Sequence, residues 1–376
     1  MACTCGIVVA NLYYCQPLLV EMAAALHLSE TQVASVPTFT QLGYALGIFL
    51  LVPLGDKLER RRLIVGMLIA VAGLLALLSG ATGLGWLAGA SFAVGVGSIV
   101  PQLLVPLAAG LAPPDQRGRV VGFVMSGLLT GILLARTVSG LTAAWLGWRA
   151  IFRLAALAMI ALALLMQRML PVSPPANARQ GYLRLIASLF GILREEPLLV
   201  RSALTNAMSF GAFSAFWCAF TFLLSAAPFQ YGSRTIGLFG LAGLAGALAA
   251  PVAGRLSDRY GPSLTIGCGL SCLAASFLVL WTGRTSVFVL VLGALILDLG
   301  TQLTLIGNQS QIYSLPKELH SRLNALFIGI FFLGGASGSF TGSAVWASRG
   351  WSGVCLVGAL MALVGLGISR VPVAEA

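Results

Sequence analysis

From residue 2 to residue 370 the chain is a succession of apolar runs of about 20 residues or more, each closed by a short polar or basic stop. A run of that length is what one helix needs to cross about 30 Å of hydrocarbon at a rise of about 1.5 Å per residue. No water reaches the bilayer core to satisfy backbone N–H and C=O groups, so only helices and closed barrels can span it. Here the runs are continuous and do not alternate with a period of two, which excludes a barrel. Twelve runs can be delimited, at roughly 2–25, 34–54, 63–81, 85–110, 119–145, 149–170, 198–226, 235–254, 262–282, 286–314, 324–346 and 351–370. They are called spans one to twelve below. The fold class predicted is an all-α polytopic membrane protein with 12 transmembrane helices.

Composition removes the alternatives. Of 376 residues 58%, or about 218, are hydrophobic and only 9% are charged, where a soluble surface needs about 25% charged residues. A soluble enzyme, a disordered chain, a coiled coil and a single-pass receptor are all excluded. A net charge of +11 would suggest nucleic acid in a soluble protein. In this chain the charges lie between apolar runs, where Lys and Arg act as topology signals. Sixteen of them fall on one set of loops, from Lys57, Arg60, Arg61 and Arg62 to Arg370, and five on the other, with Arg136 left inside a span. Both termini and all long loops are therefore expected to be cytoplasmic. The seven cysteines lie in apolar runs without metal-ligand company, so buried inert thiols are expected rather than disulfides or a metal site. The first run starts almost at Met1 with no basic lead and no cleavage site behind it, which reads as a span and not a signal peptide.

Three stop signals recur at a nearly constant offset. Gly55-Asp56-Lys57 after span two matches Ser257-Asp258-Arg259 after span eight, 202 residues on. Pro114 to Arg119 matches Pro316 to Arg322, and Gly147-Trp148 matches Gly350-Trp351 at an offset of 203. Such register indicates a duplicated unit. Six spans per unit is an even number, so the halves run parallel and are related by an axis along the membrane normal. The expected division is an N-terminal six-helix bundle at 1–170, a cytoplasmic linker at 171–197 and a C-terminal six-helix bundle at 198–376. Basic and apolar faces from Tyr182 to Arg194 suit a short helix lying on the membrane surface; an ordinary connector is the alternative.

At these residues the chain resembles the major facilitator superfamily over essentially its whole length. That family's loop motif, Gly-x-Leu-x-Asp-Arg-x-Gly-Arg-Arg, is matched by Gly254-Arg255-Leu256-Ser257-Asp258-Arg259-Tyr260-Gly261. A first copy, Val52 to Arg61, keeps Asp56, Arg60 and Arg61 but loses both glycines. Ala10 to Leu19 is similar to the first span of bacterial drug- and sugar-efflux permeases. The resemblance implies two parallel bundles, alternating access and a bacterial inner (plasma) membrane location. It implies further that Asp56, Arg60, Arg61, Gly254, Asp258, Arg259 and Gly261 form a latch closing the cytoplasmic side when the outside is open. An Asp at a helix end beside arginines can form such ion pairs, and a purely topological role is the simpler alternative.

Two ionisable groups lie deepest, Arg136 in span five and Asp298 in span ten. A charge at mid-bilayer costs about 3 kcal/mol on insertion scales and calls for an inward-facing partner. Counted from the outer ends of their spans, the two differ in depth by only about 5 Å. The reading is that Asp298 takes the proton or a substrate cation and Arg136 is its counter-charge, with a structural pair or unrelated caps as the alternative. Gln302 shares a helical stripe with Asp298. Asn11 and Tyr14 in span one, Gln102 in span four, and Asn206 and Trp217 in span seven complete the candidate cavity wall, since the first and fourth helices of each half line the cavity in the superfamily. Small residues in span five (Gly122, Gly131, Ala135, Ser139, Gly140) and span eight (Gly237, Gly240, Gly243, Gly246) suit close helix crossing. Gly43 and Gly47 in span two and Gly334, Gly338 and Gly342 in span eleven carry matching faces suited to the other contact between halves.

The function expected is proton-coupled efflux of a small drug- or sugar-like organic molecule, with a proton-coupled uptake symporter as the alternative. A channel or an enzyme is not expected. Expected partners are the solute, protons and the lipid bilayer, with no nucleic acid, cofactor or metal, and the chain is expected to be a monomer.

Overall fold

The computed structural model describes residues 1–113, 116–172, 181–243, 253–316 and 319–372. Every regular element among them is helical. Residues 244–252 of span eight, with Gly246, the loop residue Pro114 and the linker prolines 174 and 175 lie outside the described residues, as does the side chain of Asp56.

Nine helices among the described residues are long and apolar enough to cross a membrane, and the last of them, Arg322–Ser369, is two spans run together. Its break is Gly350, with φ 60° and ψ −154°. Spans five (Arg117–Leu146) and six (Trp148–Met169) are likewise separated only by Gly147, at φ 77°. A left-handed residue reverses the chain in one step, and glycine adopts it without a Cβ clash. The repeat of Gly147-Trp148 at Gly350-Trp351 is thus a repeated one-residue hairpin between helices, each followed by a buried tryptophan. Span three (Arg60–Ser79) begins where the Glu59 carboxylate accepts from the N–H groups of Arg61 and Arg62. Span two (Glu30–Leu51) starts from a capping box between Ser29 and Gln32.

Span one does not run straight. It is helical at Ala2–Ala10, tightens through residues 11–15 into bonds spaced three residues apart, passes through a 3₁₀ turn at Gln16–Leu18 and resumes at Leu19–Leu26. Pro17 supplies no N–H, so the ladder re-forms one residue tighter around it. The Gln16 carbonyl accepts from Thr221 Oγ1 of span seven at 2.9 Å. Span four bends likewise between Leu84–Gly97 and Val100–Leu111, ahead of Pro101 and Pro106. Span seven is Pro197–Ser225, span nine Pro262–Thr282 and span ten Val287–Ile312. Span eight begins at Ser233–Leu238, tightens to a 3₁₀ turn at Phe239–Gly243 and is helical again at 253–260.

The linker contains a helix, Tyr182–Glu195. Leu185, Leu189 and Ile192 are its buried stripe, and Leu189 and Ile192 pack with Leu199, Leu323 and Phe327 at the foot of the second bundle. Tyr182 donates its hydroxyl to Leu50 O at 2.6 Å, tying the linker to span two. The membrane face bearing this segment is called the linker face, and the other the far face.

Glycine-mediated crossings decide which helices meet. Gly140 of span five lies on Gly237 of span eight, where a Cβ on Gly140 would sit 2.9 Å from Gly237 Cα. This is the expected contact between halves. The small-residue faces of spans two and eleven go elsewhere: Gly43 and Gly47 press on Phe92 and Val96 of span four, while Gly334, Gly338 and Gly342 press on Ala207, Gly211 and Ala215 of span seven. Spans two and eleven do meet, through Tyr44 on Phe332 with ring centroids 4.3 Å apart. Side chains of span two also pack over glycines of span eleven at that seam, Phe49 over Gly329 and Gln41 over Gly335.

Candidate functional site

Hydrogen bonds among the described residues stitch the halves together on the far side. Thr137 Oγ1 donates to Gly237 O at 2.9 Å, Thr221 Oγ1 to Gln16 O at 2.9 Å, and Trp346 Nε1 to Glu30 Oε2 at 2.8 Å. Below them a cavity of about 680 Å³ runs from Arg136 and Asp298 to the linker-side ends of spans two, four, five, ten and eleven, at Val52, Ala109, Val121, Tyr313 and Asn324. Spans one, four, seven and ten contribute wall residues, as the sequence led us to expect. Spans five and eleven contribute more of the wall than span seven does.

Arg136 stands at the cavity's inner end and is only 3% exposed. Its Nε donates to Gln16 Oε1 at 2.6 Å. Its guanidinium carbon lies 4.2 Å from the Trp217 ring centroid, 5.1 Å from Tyr13 and 5.7 Å from Phe213. Three ring faces and one amide oxygen therefore solvate the cation in place of water. The break in span one puts Tyr13 and Gln16 there, one on each side of the tightened turn. Asp298, 6% exposed, lines the same cavity with Gln302 one helical turn along. Among the described residues no ion pair within 4.0 Å joins Arg136 to Asp298. Arg136 Nη2 and Asp298 Oδ2 each lack a hydrogen-bond partner.

Of the residues singled out in the sequence, Arg136, Asp298, Gln302 and Gln102 come together on the cavity wall. Gln102 donates to Tyr44 Oη at 3.2 Å and accepts from Asn324 Nδ2 at 3.4 Å, so it bridges the halves. Trp217 backs the site through Arg136 without lining the cavity. Asn11 lies off the wall, donating to Ser98 Oγ at 3.5 Å inside the first bundle. Tyr14 is buried in that bundle's core. Asn206 is fully buried, and neither of its amide atoms has a partner. For these three, helical spacing placed a polar residue on a stripe, but the bend of span one and the tight packing of span seven against span eleven turn the stripe into the bundle.

Sequence reasoning missed Gln16, Tyr13, Tyr44, Tyr313, His320 and Asn324. A polar residue beside Pro17 in mid-span was the one available signal for Gln16, because broken helices present polar groups to cavities. Among the latch candidates, Arg60 Nε donates to Gly55 O at 3.2 Å and Arg61 Nη1 to Leu170 O at 3.5 Å. Arg259 lies 5.1 Å from the ring of Tyr260. Asp258 lies in the last turn of the 253–260 helix, and Gly261, at φ 88°, turns the chain into span nine.

Two parallel six-helix bundles enclosing a polar-ended cavity, sealed at one face, define a membrane transporter. The chain belongs to the Major Facilitator Superfamily, whose family model matches residues 1–301 and 210–375. It is 44% identical over 366 residues to a protein of Escherichia coli K12 named as the transporter YgaY, covering 97% of this chain and 93% of that one. It is 27% identical over 275 residues to a protein of Pasteurella multocida named as a sugar efflux transporter, covering 72% of this chain and 65% of that one. In fold it is similar to the crystal structure of a D-xylose–proton symporter, with a TM-score of 0.78 at 17% identity over 100% of this chain and 97% of that chain. The chain is thus a multi-pass membrane transporter of small-molecule substrates and not an enzyme.

Proposed function

We propose that the chain exports a small organic molecule across a bacterial inner membrane in exchange for protons, by alternating access. The observation that carries this reading is a cavity of about 680 Å³, large enough for a small organic solute, ending on one buried carboxyl and one buried guanidinium. In this reading the linker face is cytoplasmic, where 16 of the 22 basic residues lie, both termini are cytoplasmic, and the protein works as a monomer of two units, 1–170 and 198–376, joined by 171–197. Asp298 takes and releases the proton, and Arg136 supplies the charge that makes its ionised state tolerable. Efflux is favoured by the naming of relatives as sugar efflux transporters. The latch formed by Asp56, Arg60, Arg61, Gly254, Asp258, Arg259 and Gly261 belongs to the opposite state, closing the linker face when the far face opens.

Everted vesicles given an imposed pH gradient and challenged with sugar analogues and drug-like dyes test this. Solute-dependent dissipation of the gradient is expected in the wild type and absent in Asp298→Asn. Full coupling in Asp298→Asn ends the proton assignment, and solute moving in the same direction as protons identifies a symporter.

A further inference from the structure

We propose that Arg136 and Asp298 are the two poles of a subsite for a zwitterionic organic solute, one bearing a carboxylate-like and an ammonium-like group on a compact apolar body. This rests on the reading of the cavity as the transport site and adds the charge class of the substrate.

Two opposite charges inside a membrane protein ordinarily close on each other, because each carries a desolvation penalty of several kcal/mol. Here they have every opportunity. Both line one cavity and both flank the same 3₁₀ turn of span eight, Phe239–Gly243. A Cβ on Gly240 would lie 2.8 Å from Arg136 Cβ, and one on Gly243 would lie 3.4 Å from Asp298 Oδ2. Three residues of 3₁₀ helix rise about 6 Å, so the two side chains leave the turn one step apart. They nevertheless form no pair within 4.0 Å, and each keeps an unpartnered polar atom, Nη2 on one and Oδ2 on the other.

What keeps them apart is the seat of the guanidinium. Its Nε is held by Gln16 at 2.6 Å, and its carbon lies over Trp217 at 4.2 Å with Tyr13 and Phe213 beyond. A cation fixed in this way is pre-organised for a ligand, since it need not be reordered on binding. The unpartnered atoms then select by charge. An anion alone would satisfy Arg136 and face the Asp298 carboxylate. A cation alone would satisfy Asp298 and face Arg136. A neutral solute would leave both poles bare. A compact zwitterion satisfies both poles at once through one charge-assisted bond at each. Its body would meet the stacked rings of Phe210, Phe213 and Phe331.

The test is a binding screen on purified full-length protein in lipid nanodiscs near neutral pH, read by thermal stabilisation. The probes are matched sets: phenylalanine, phenethylamine, 3-phenylpropionate and 3-phenylpropionamide, then leucine with its amine, acid and amide counterparts. Zwitterions are expected to bind at least about tenfold more tightly than analogues lacking either charge. Asp298→Asn is expected to remove the need for the ammonium, so that the carboxylates bind as well as the amino acids; Arg136→Gln is expected to do the reverse. The wild-type ranking is decisive even if a variant misfolds. A preference for single ions or neutral amides, or no binding by any set, overturns the proposal. Zwitterion binding together with intact pH coupling in Asp298→Asn defeats only the proton reading, whereas proton-coupled flux of neutral solutes alone defeats only the subsite.

Discussion

A neutral amide decides how the buried charge of Arg136 is held. Gln16 Oε1 accepts from Arg136 Nε at 2.6 Å with both residues almost fully buried, and a hydrogen bond to a charged group is worth about 1.5–3 kcal/mol. Truncation to leucine removes the acceptor and leaves the cation one hydrogen-bond partner short. We therefore expect Gln16→Leu to lower the stability of the protein in nanodiscs by about 2 kcal/mol, while the same change in an Arg136→Met background costs less than about 0.5 kcal/mol, measured as a double-mutant cycle by thermal or denaturant unfolding. Equal losses in the two backgrounds would show that Gln16 serves the bend of span one and not Arg136. The two charges were legible in the sequence because an ionisable side chain inside an apolar run is rare. Gln16 and Tyr13 were not, because an amide or a phenol in a span is common, and only the backbone break around Pro17 brings both beneath the guanidinium.

Helices are matched by what their small residues touch, and spacing alone does not say what that is. Gly140 and Gly122 in span five look alike in sequence, yet a Cβ at Gly140 would collide with the backbone of span eight, whereas one at Gly122 meets nothing within 4 Å. Overpacking a tight contact costs about 1–3 kcal/mol. Gly140→Val is expected to lower the unfolding temperature and abolish transport by parting spans five and eight, and Gly122→Val is expected to leave both within error. Comparable behaviour of the two variants in vesicle flux and thermal unfolding would remove the crossing from the account of this fold. The same limit explains the misplaced expectation for spans two and eleven. Their glycines were correctly read as close-approach sites, but their partners, spans four and seven, lie in their own halves. Boundaries were legible where chemistry marks them, as at Gly147 and Gly350, whereas the break at Pro17 inside span one was read through as one continuous run. Partner choice depends on three-dimensional neighbours that a single chain's periodicity does not encode.

The duplicated architecture makes the two faces of the molecule alternatives to each other. With the cavity running to the linker face, the far face is held shut by the bonds of Thr137, Thr221 and Trp346 across the halves. Opening there must break these bonds, so their free energy biases the equilibrium between states. Trp346 gives the cleanest test. Its Nε1 donates to Glu30 Oε2 at 2.8 Å at an exposed position, while its ring stacks on Phe222. Trp346→Phe deletes the donor and keeps a ring for the stack. A net loss of about 1 kcal/mol shifts the equilibrium about fivefold toward the far-open state. The protein carries its own reporter of that state: Cys218 is fully buried at the seam, with Sγ 3.8 Å from Ala34 O of the other half. Opening exposes it to a membrane-impermeant maleimide applied at the far face. Labelling of Cys218 is expected to be about fivefold faster in Trp346→Phe than in the wild type, with Cys355, buried inside the second bundle, unchanged as the control for general loosening. An unchanged Cys218 rate would mean that the Glu30–Trp346 bond does not bias the far-side closure, and a parallel rise at Cys355 would mean that the bundle itself had loosened.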